Sequence, residues 1–481
     1  MLDGLDSAGV DTEVTVFSGE RYFSFSPGDR YSVADIGQFY SRVYADIKRQ
    51  AVDYPPRKTF FGDTVPCYSV NGEPRFFSSD MFGGHTNIWG GTVLPLTESD
   101  FAGWPITRAD LEPHYQAIAD LIGVAGRRDQ LAEFLQLDYG NRPPLRQLDG
   151  FRHLEDHLNR HAESDDYRFH AGVPPSAIDT RDGSSTGCIQ CGECMVGCAR
   201  DAIYSARTAL RQRIDGGNVR FVPRNVATIR PREGRPEVHC SGGGTEPFDR
   251  VFLCAGCVPT TEILMRSLEI TTGPILQDNC IYQFPLVSLS GQSDRHKHEY
   301  FGLTNLLLLL EPKRPDLPLL QMHLYPNVDY LWRTLVPRWI WGFLRHPVRW
   351  FRDRLIWARV YMDADESNRY SLSLEGERLV FGEVGIPDDT NLHRCIESLR
   401  QALRGSACRV LPLSPVLAHT SAHLAGTFPY GDGAISVARD GEVLPHVHIA
   451  DSACFPKSPV ISPTLTIMAN ARRTALEAIQ A

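Results

Sequence analysis

The residues most plainly spaced for ligand chemistry are cysteines. Cys188-x2-Cys191-x2-Cys194-x3-Cys198 sets thiols at short gaps, and Gly187, Gly192 and Gly197 between them let the chain wrap a small object with its N–H groups facing inward. This spacing matches the bacterial ferredoxin run for an iron–sulfur cluster of the 4Fe–4S type, although the Pro that usually follows the last Cys is Ala199 here. No second run occurs, so Cys198 would have to close the same cluster or leave a three-iron one. Structural zinc on the same thiolates, or free thiols packing a turn, are the other readings. A second candidate is His423, three residues before Gly426-Thr427, in a stretch rich in Ser, Gly and Pro where turns display a side chain rather than bury it.

Stepping from these groups to the elements that must carry them, residues 448–451 read as a short buried strand, followed by a Pro-rich loop. Residues 464–479 have helical periodicity, with Ala469, Ala471 and Ala475 small enough for close packing. The helix N-terminus at Pro463-Thr464 would point backbone N–H groups at an anionic ring or phosphate. Val14–Phe17 reads as a buried parallel strand after the tail of a helix at 1–8, and 219–229 and 249–260 as further strands. Thr107 should cap a helix carrying Leu111, Tyr115, Ile118 and Leu121. The leucine run 303–310 suits a buried strand, and 361–380 alternates as a strand does. Trp332, Trp339, Trp341, Trp350 and Trp357 stand among the arginines of 333–359, broken by Pro337 and Pro347. That composition suits a segment lying on an anionic membrane or lipid-linked substrate, and equally a surface helical pair with Arg stacked on Trp.

The chain has 481 residues, 42% hydrophobic and 22% charged, the proportions of a globular protein with room for one large or two medium domains. A formal net charge of -9 argues against nucleic acid as a partner. No apolar run reaches the length of a membrane span, and the twelve cysteines fit a cytoplasmic protein with reduced or metal-bound thiols.

The C-terminal stretch resembles the signature of the glucose-methanol-choline (GMC) flavoprotein oxidoreductases. The resemblance rests on His423-x-x-Gly426-Thr427, Asp451-Ser452, Phe455-Pro456 and Pro463-Thr464-Leu465-Thr466-Ile467-Met468-Ala469. It returns at Gly83-Gly84-His85-Thr86-Asn87-Ile88-Trp89-Gly90-Gly91-Thr92, which is similar to the family's loop along the flavin ring. The resemblance implies an α/β fold: a Rossmann-like FAD-binding domain with an α+β antiparallel-sheet substrate domain. It makes His423 the base that takes a substrate hydroxyl proton, and puts Ser462 where relatives carry a second His or Asn. FAD contacts would come from Gly83, Gly84, Thr86, Asn87, Trp89, Gly90, Gly91, Val226, Ala255, Gly256, Asp451, Pro463 and Thr464. Ile88 stands where some relatives attach the flavin through His, so the FAD would be non-covalent. Missing is the Gly-rich FAD loop that precedes the family's second strand, as though about 25 residues were absent or the loop had been lost.

The expected organisation is a FAD-binding domain over 1–274 with the Cys-rich segment 186–204 inserted, a substrate domain over 275–410 containing the Trp/Arg segment 331–360, and a return to the FAD domain over 411–481. The expected activity is oxidation of a hydroxyl on a sugar, cyclitol or other natural-product alcohol by hydride transfer to flavin, with electrons relayed through the cluster to an external acceptor. The alternative from another class is a degenerate ligand-binding protein with a structural metal and no turnover.

Overall fold

The computed structural model describes residues 1–7, 13–19, 67–71, 73–77, 81–138, 140–291, 300–326, 350, 353–385, 387–418, 423–431, 433 and 435–480. Most of the Trp/Arg segment at 331–360 lies outside the described residues. At its described end the Arg354 guanidinium sits 4.3 Å over the Trp350 ring. Among the described residues no helix is long and apolar enough to cross a membrane.

The leucine run explains the larger layer. Strand Leu306–Pro312 lies inside an antiparallel sheet, between Leu320–Pro326 on one side and Tyr167–Gly172 on the other. Successive side chains point to opposite faces. Leu306, Leu308 and Leu310 therefore enter one core with Phe151, Leu154 and Leu158, while Leu307 and Leu309 enter another with Tyr115, Ile461 and Leu465. A strand buried on both faces reads as an unbroken apolar run rather than an alternation. The sheet continues through Leu355–Tyr361, Ile281–Ser288 and Cys408–Val410. It thus takes in Tyr167–Gly172 from the segment expected for the first domain. Helices Asp149–Arg160 and Thr390–Ala402 cover its first face, supplying Phe151, Leu154, Leu392 and Leu399.

The parallel part of the fold comes in two pieces. Val14–Phe17 pairs in parallel with Val219–Val222, and Val251–Leu253 with Val447–Ile449. The strand read over 219–229 is broken at Pro223, which has no N–H to give a ladder; a separate strand, Val226–Arg232, follows. The strand read over 249–260 ends at Leu253, because Gly256 at φ 92 turns the chain into helix Cys257–Ser267. Helix Arg108–Ile122 starts as its cap implied, with the Thr107 side chain accepting from the Asp110 N–H. It crosses the C-terminal helix Thr464–Gln480, where the buried Tyr115 and Thr466 hydroxyls meet at 2.8 Å. The short helix Leu2–Ser7 packs on that same C-terminal helix, held by an Asp3–Arg472 ion pair at 2.7 Å.

Candidate active site

The second face of the large sheet is where the polar groups gather. On strand Leu320–Pro326, Leu320, Met322 and Leu324 face the helix-covered core, so Gln321, His323 and Tyr325 face the other way. Opposite them on Leu355–Tyr361 the register sets Tyr361 against Gln321 and Arg359 against His323. Gln321 and His323 are buried. Aromatic contacts join this wall to His423: Tyr361 stacks on the His423 ring at 5.1 Å and 20°, and stands 5.0 Å from the His323 ring.

His423 itself is half-buried, and its Nδ1 is fully buried without a hydrogen-bond partner. Burial, and after it the positive charge of Arg359, pull the imidazole down to about 4. His323 is pulled lower, to about 3, by burial and by the charges of His423 and Arg359. Both rings are therefore neutral near pH 7. The backbone around His423 is pinned: Ala425 exchanges N–H···O bonds with Gln277, and the Ser458 hydroxyl donates to the His423 carbonyl at 3.1 Å. Gly426 has φ 83, and a Cβ there would stand 2.7 Å from Gln277 Nε2, so only glycine carries the chain through this point.

Ser462 bonds to the same wall. Its N–H donates to Gln321 Oε1 at 3.1 Å, and its Oγ lies 2.9 Å from Gln321 Nε2. Pro463 and Thr464 follow at once, with Thr464 opening the C-terminal helix. His423, Ser462 and Thr464 are thereby brought to one place, facing Gln321, His323, Arg359 and Tyr361 from the sheet. Those four were missed by sequence reasoning. Their signal was the alternation Leu-Gln-Met-His-Leu-Tyr at 320–325, apolar on one side and polar on the other.

The loop at 83–91 is held chiefly by its own side chains. The Thr86 hydroxyl accepts from Ala206 N–H at 2.9 Å, Asn87 Oδ1 accepts from the Ser205 hydroxyl at 2.8 Å, and Trp89 Nε1 donates to the Tyr204 carbonyl at 2.8 Å. At Gly83 a Cβ would fall 2.6 Å from the Arg207 backbone, so that glycine serves the approach of helix Ala206–Asp215. At Gly84 and Gly90 a Cβ would meet no protein atom within 4 Å, which leaves room for a ring system. Gly91 is closed in by Ile203 and Ile178. Trp89 shares an apolar cluster with Ile461 and Leu465, tying the loop to the segment around Ser462.

Farther along, Val226 is half-buried at the head of its strand, and Ala255 is exposed. Gly256 again has free space where a Cβ would be, and its N–H donates to Asp451. The Asp451 carboxylate also accepts from the Thr260 hydroxyl and the Ala453 N–H. Those bonds hold two chain turns together, while burial raises Asp451 to about 6. Its side chain is spent on the protein; the neighbouring backbone is what remains open to a cofactor.

The iron–sulfur and zinc expectations for Cys188, Cys191, Cys194 and Cys198 find no support: among the described residues no group of three or more His, Cys, Asp or Glu side chains is placed to hold a metal ion. The run packs on an apolar cluster. Cys194 is buried with Leu145, Ile178, Phe301 and Leu303, and Cys188 and Cys198 lean on the same cluster. Burial pushes the Cys188 thiol up to about 11 and raises Cys194 and Cys198 as well, so they behave as small neutral apolar groups. Gly192 admits Tyr300, whose ring carbon would stand 2.6 Å from a Cβ there.

No family model matches the chain, and no curated protein matches its sequence. Its architecture does have counterparts among solved structures. Pyridoxine 4-oxidase from Mesorbium loti superposes with a TM-score of 0.56 at 13% sequence identity, over 98% of this chain and 100% of that one. The fold is of the GMC flavoprotein type. The cluster of His423, Ser462 and Thr464 lies where the C-terminal segment meets the antiparallel sheet. The glycines with open space, Gly84, Gly90 and Gly256, together with the helix N-terminus at Thr464, fit the flat, anionic character of a flavin.

Proposed function

We propose that this chain is a flavin-dependent oxidoreductase that oxidises the hydroxyl of a small-molecule alcohol, with His423 as general base. One observation carries the reading: a neutral histidine with a buried, unpartnered Nδ1, stacked on Tyr361 and facing a buried polar wall. A buried polar atom left unbonded is costly unless something else comes to bond it. A substrate hydroxyl supplies that partner, and a neutral imidazole can take its proton. FAD, held non-covalently against Gly84, Gly90, Gly256 and Thr464, would supply a hydride acceptor when bound.

The chain's own residues do the rest. Tyr361 fixes the plane of the His423 ring, Ser462 presents a hydroxyl to the substrate oxygen, and Tyr325 with Tyr361 offers faces on which a ring can stack. Polar and aromatic groups alternating on one wall suit a polyol or other ring-bearing alcohol. The similar solved structure is named as an oxidase of pyridoxine, which favours redox chemistry over binding alone. No step is routed through the cysteines.

The test is to load the protein with FAD without oxygen and mix it with a panel of sugar, cyclitol and aromatic alcohols, following the flavin absorbance. Bleaching by an alcohol, slowed about 10²- to 10⁴-fold in His423→Ala, is the expected result. A flavin that binds and is bleached by none of them would leave ligand binding without turnover as the better reading.

A further inference from the structure

The Ser462 hydroxyl has a direction imposed on it by its neighbours. A backbone N–H can only donate, so the Ser462 N–H facing Gln321 at 3.1 Å requires the amide oxygen at that position. The amide NH2 is then the group 2.9 Å from Ser462 Oγ and 2.6 Å from His323 Nε2. Its hydrogens serve both neighbours as donors, so Ser462 Oγ accepts one and the bare Nε2 of His323 accepts the other. The ring proton of His323 must therefore sit on Nδ1, where Thr304 Oγ1 accepts it at 2.8 Å. All of these groups are buried. Every bond in the chain Thr304–His323–Gln321–Ser462 has one direction, and among the described residues the hydroxyl hydrogens at its two ends, on Thr304 and on Ser462, are left without an acceptor.

We propose that Gln321 and His323 are positioning residues that hold the Ser462 hydroxyl as a one-way hydrogen-bond donor to the substrate oxygen. This rests on the alcohol-oxidising reading given above. As His423 draws the proton from the substrate hydroxyl, negative charge grows on that oxygen, and a fixed donor already aimed at it stabilises the charge without reorganising. The arrangement also selects the substrate class. An alcohol oxygen has a lone pair for Ser462 and a proton for His423, whereas an ammonium group offers only hydrogens and meets a donor it cannot satisfy.

The experiment is nitrogen NMR on protein labelled with 15N only at histidine, with the His323 signal assigned by its loss in His323→Gln. The expected result is Nδ1 protonated and Nε2 bare, unchanged between pH 8 and pH 5. Gln321→Glu keeps the acceptor for the Ser462 N–H but cannot donate to Nε2 or Oγ. In that variant His323 should gain a proton on Nε2, and kcat should fall about 10²-fold with a smaller change in KM. A wild-type His323 protonated on Nε2, or a folded Gln321→Glu that keeps its kcat, overturns the proposal; the wild-type tautomer decides even where the variant fails to fold. The expected tautomer in a protein that turns over no alcohol would overturn the functional reading, and with it the substrate role of Ser462, while the direction of the buried chain would stand.

Discussion

His423 and His323 both lie near Arg359, and burial first, with that charge adding to it, sets when each ring can carry a proton. Arg359 and burial hold His423 near 4, so the neutral form persists well below the ordinary histidine range. With the neutral ring as the proposed base, kcat/KM should stay level as pH falls and drop only around pH 4 to 5; an acid limb near 6.5 would mean that the ring is solvated and unperturbed. His323 makes a stability statement of the same sign. Its pKa falls from 6.5 to about 3 on folding, so between those values the unfolded chain binds a proton that the folded one does not. Stability contributed at this site is thus lost as pH falls below 6.5, by about 1.4 kcal/mol per pH unit. Urea unfolding of wild type and His323→Gln across pH 7 to 5 should show the difference moving in the variant's favour by that slope. His423 could be singled out because it sits in a motif, and its role as base is the proposal made above. His323 was marked only as a polar residue in an alternating strand; that it faces Arg359 comes from pairing with a strand more than thirty residues away, a register that sequence alone does not give.

At the scale of elements, the readable features were those with local causes. The cap at Thr107 and the apolar run ending at Leu310 both depend on neighbours in sequence, and both appear. The failures at 219–229 and 249–260 came from treating apolar content as continuous strand and passing over Pro223 and Gly256, which end the ladders. The cysteine run is settled by spacing only in part: spacing shows that thiols can converge, while the apolar surface of Phe301 and Leu303 is what Cys194 packs on. The two-faced leucine strand yields a prediction of its own. Leu308 is fully buried between Phe151 on one face and its own sheet, so Leu308→Ala should cost about 2 to 5 kcal/mol in urea unfolding with the m-value unchanged. Leu121, on the exposed side of helix Arg108–Ile122, should tolerate the same change within about 0.5 kcal/mol.

For the molecule as a whole, the large antiparallel sheet supplies a wall and the C-terminal segment brings His423 to it. Iron and acid-labile sulfide assayed on protein purified without oxygen decide what the cysteine run holds: about four irons per chain would mean a cluster on the four thiols, and none would leave them as buried thiols. The parallel part is built differently. Val14–Phe17 and Val251–Leu253 each have a ladder on one side only among the described residues. In a strand paired on one side, every second amide points away from its partner. Deuterium should therefore enter these strands in an alternating pattern, while Leu306–Pro312, flanked on both sides, stays protected throughout. On heating, the parallel half would open first and the leucine-rich wall would be the last part to melt, so the proposed activity would be lost before most of the structure.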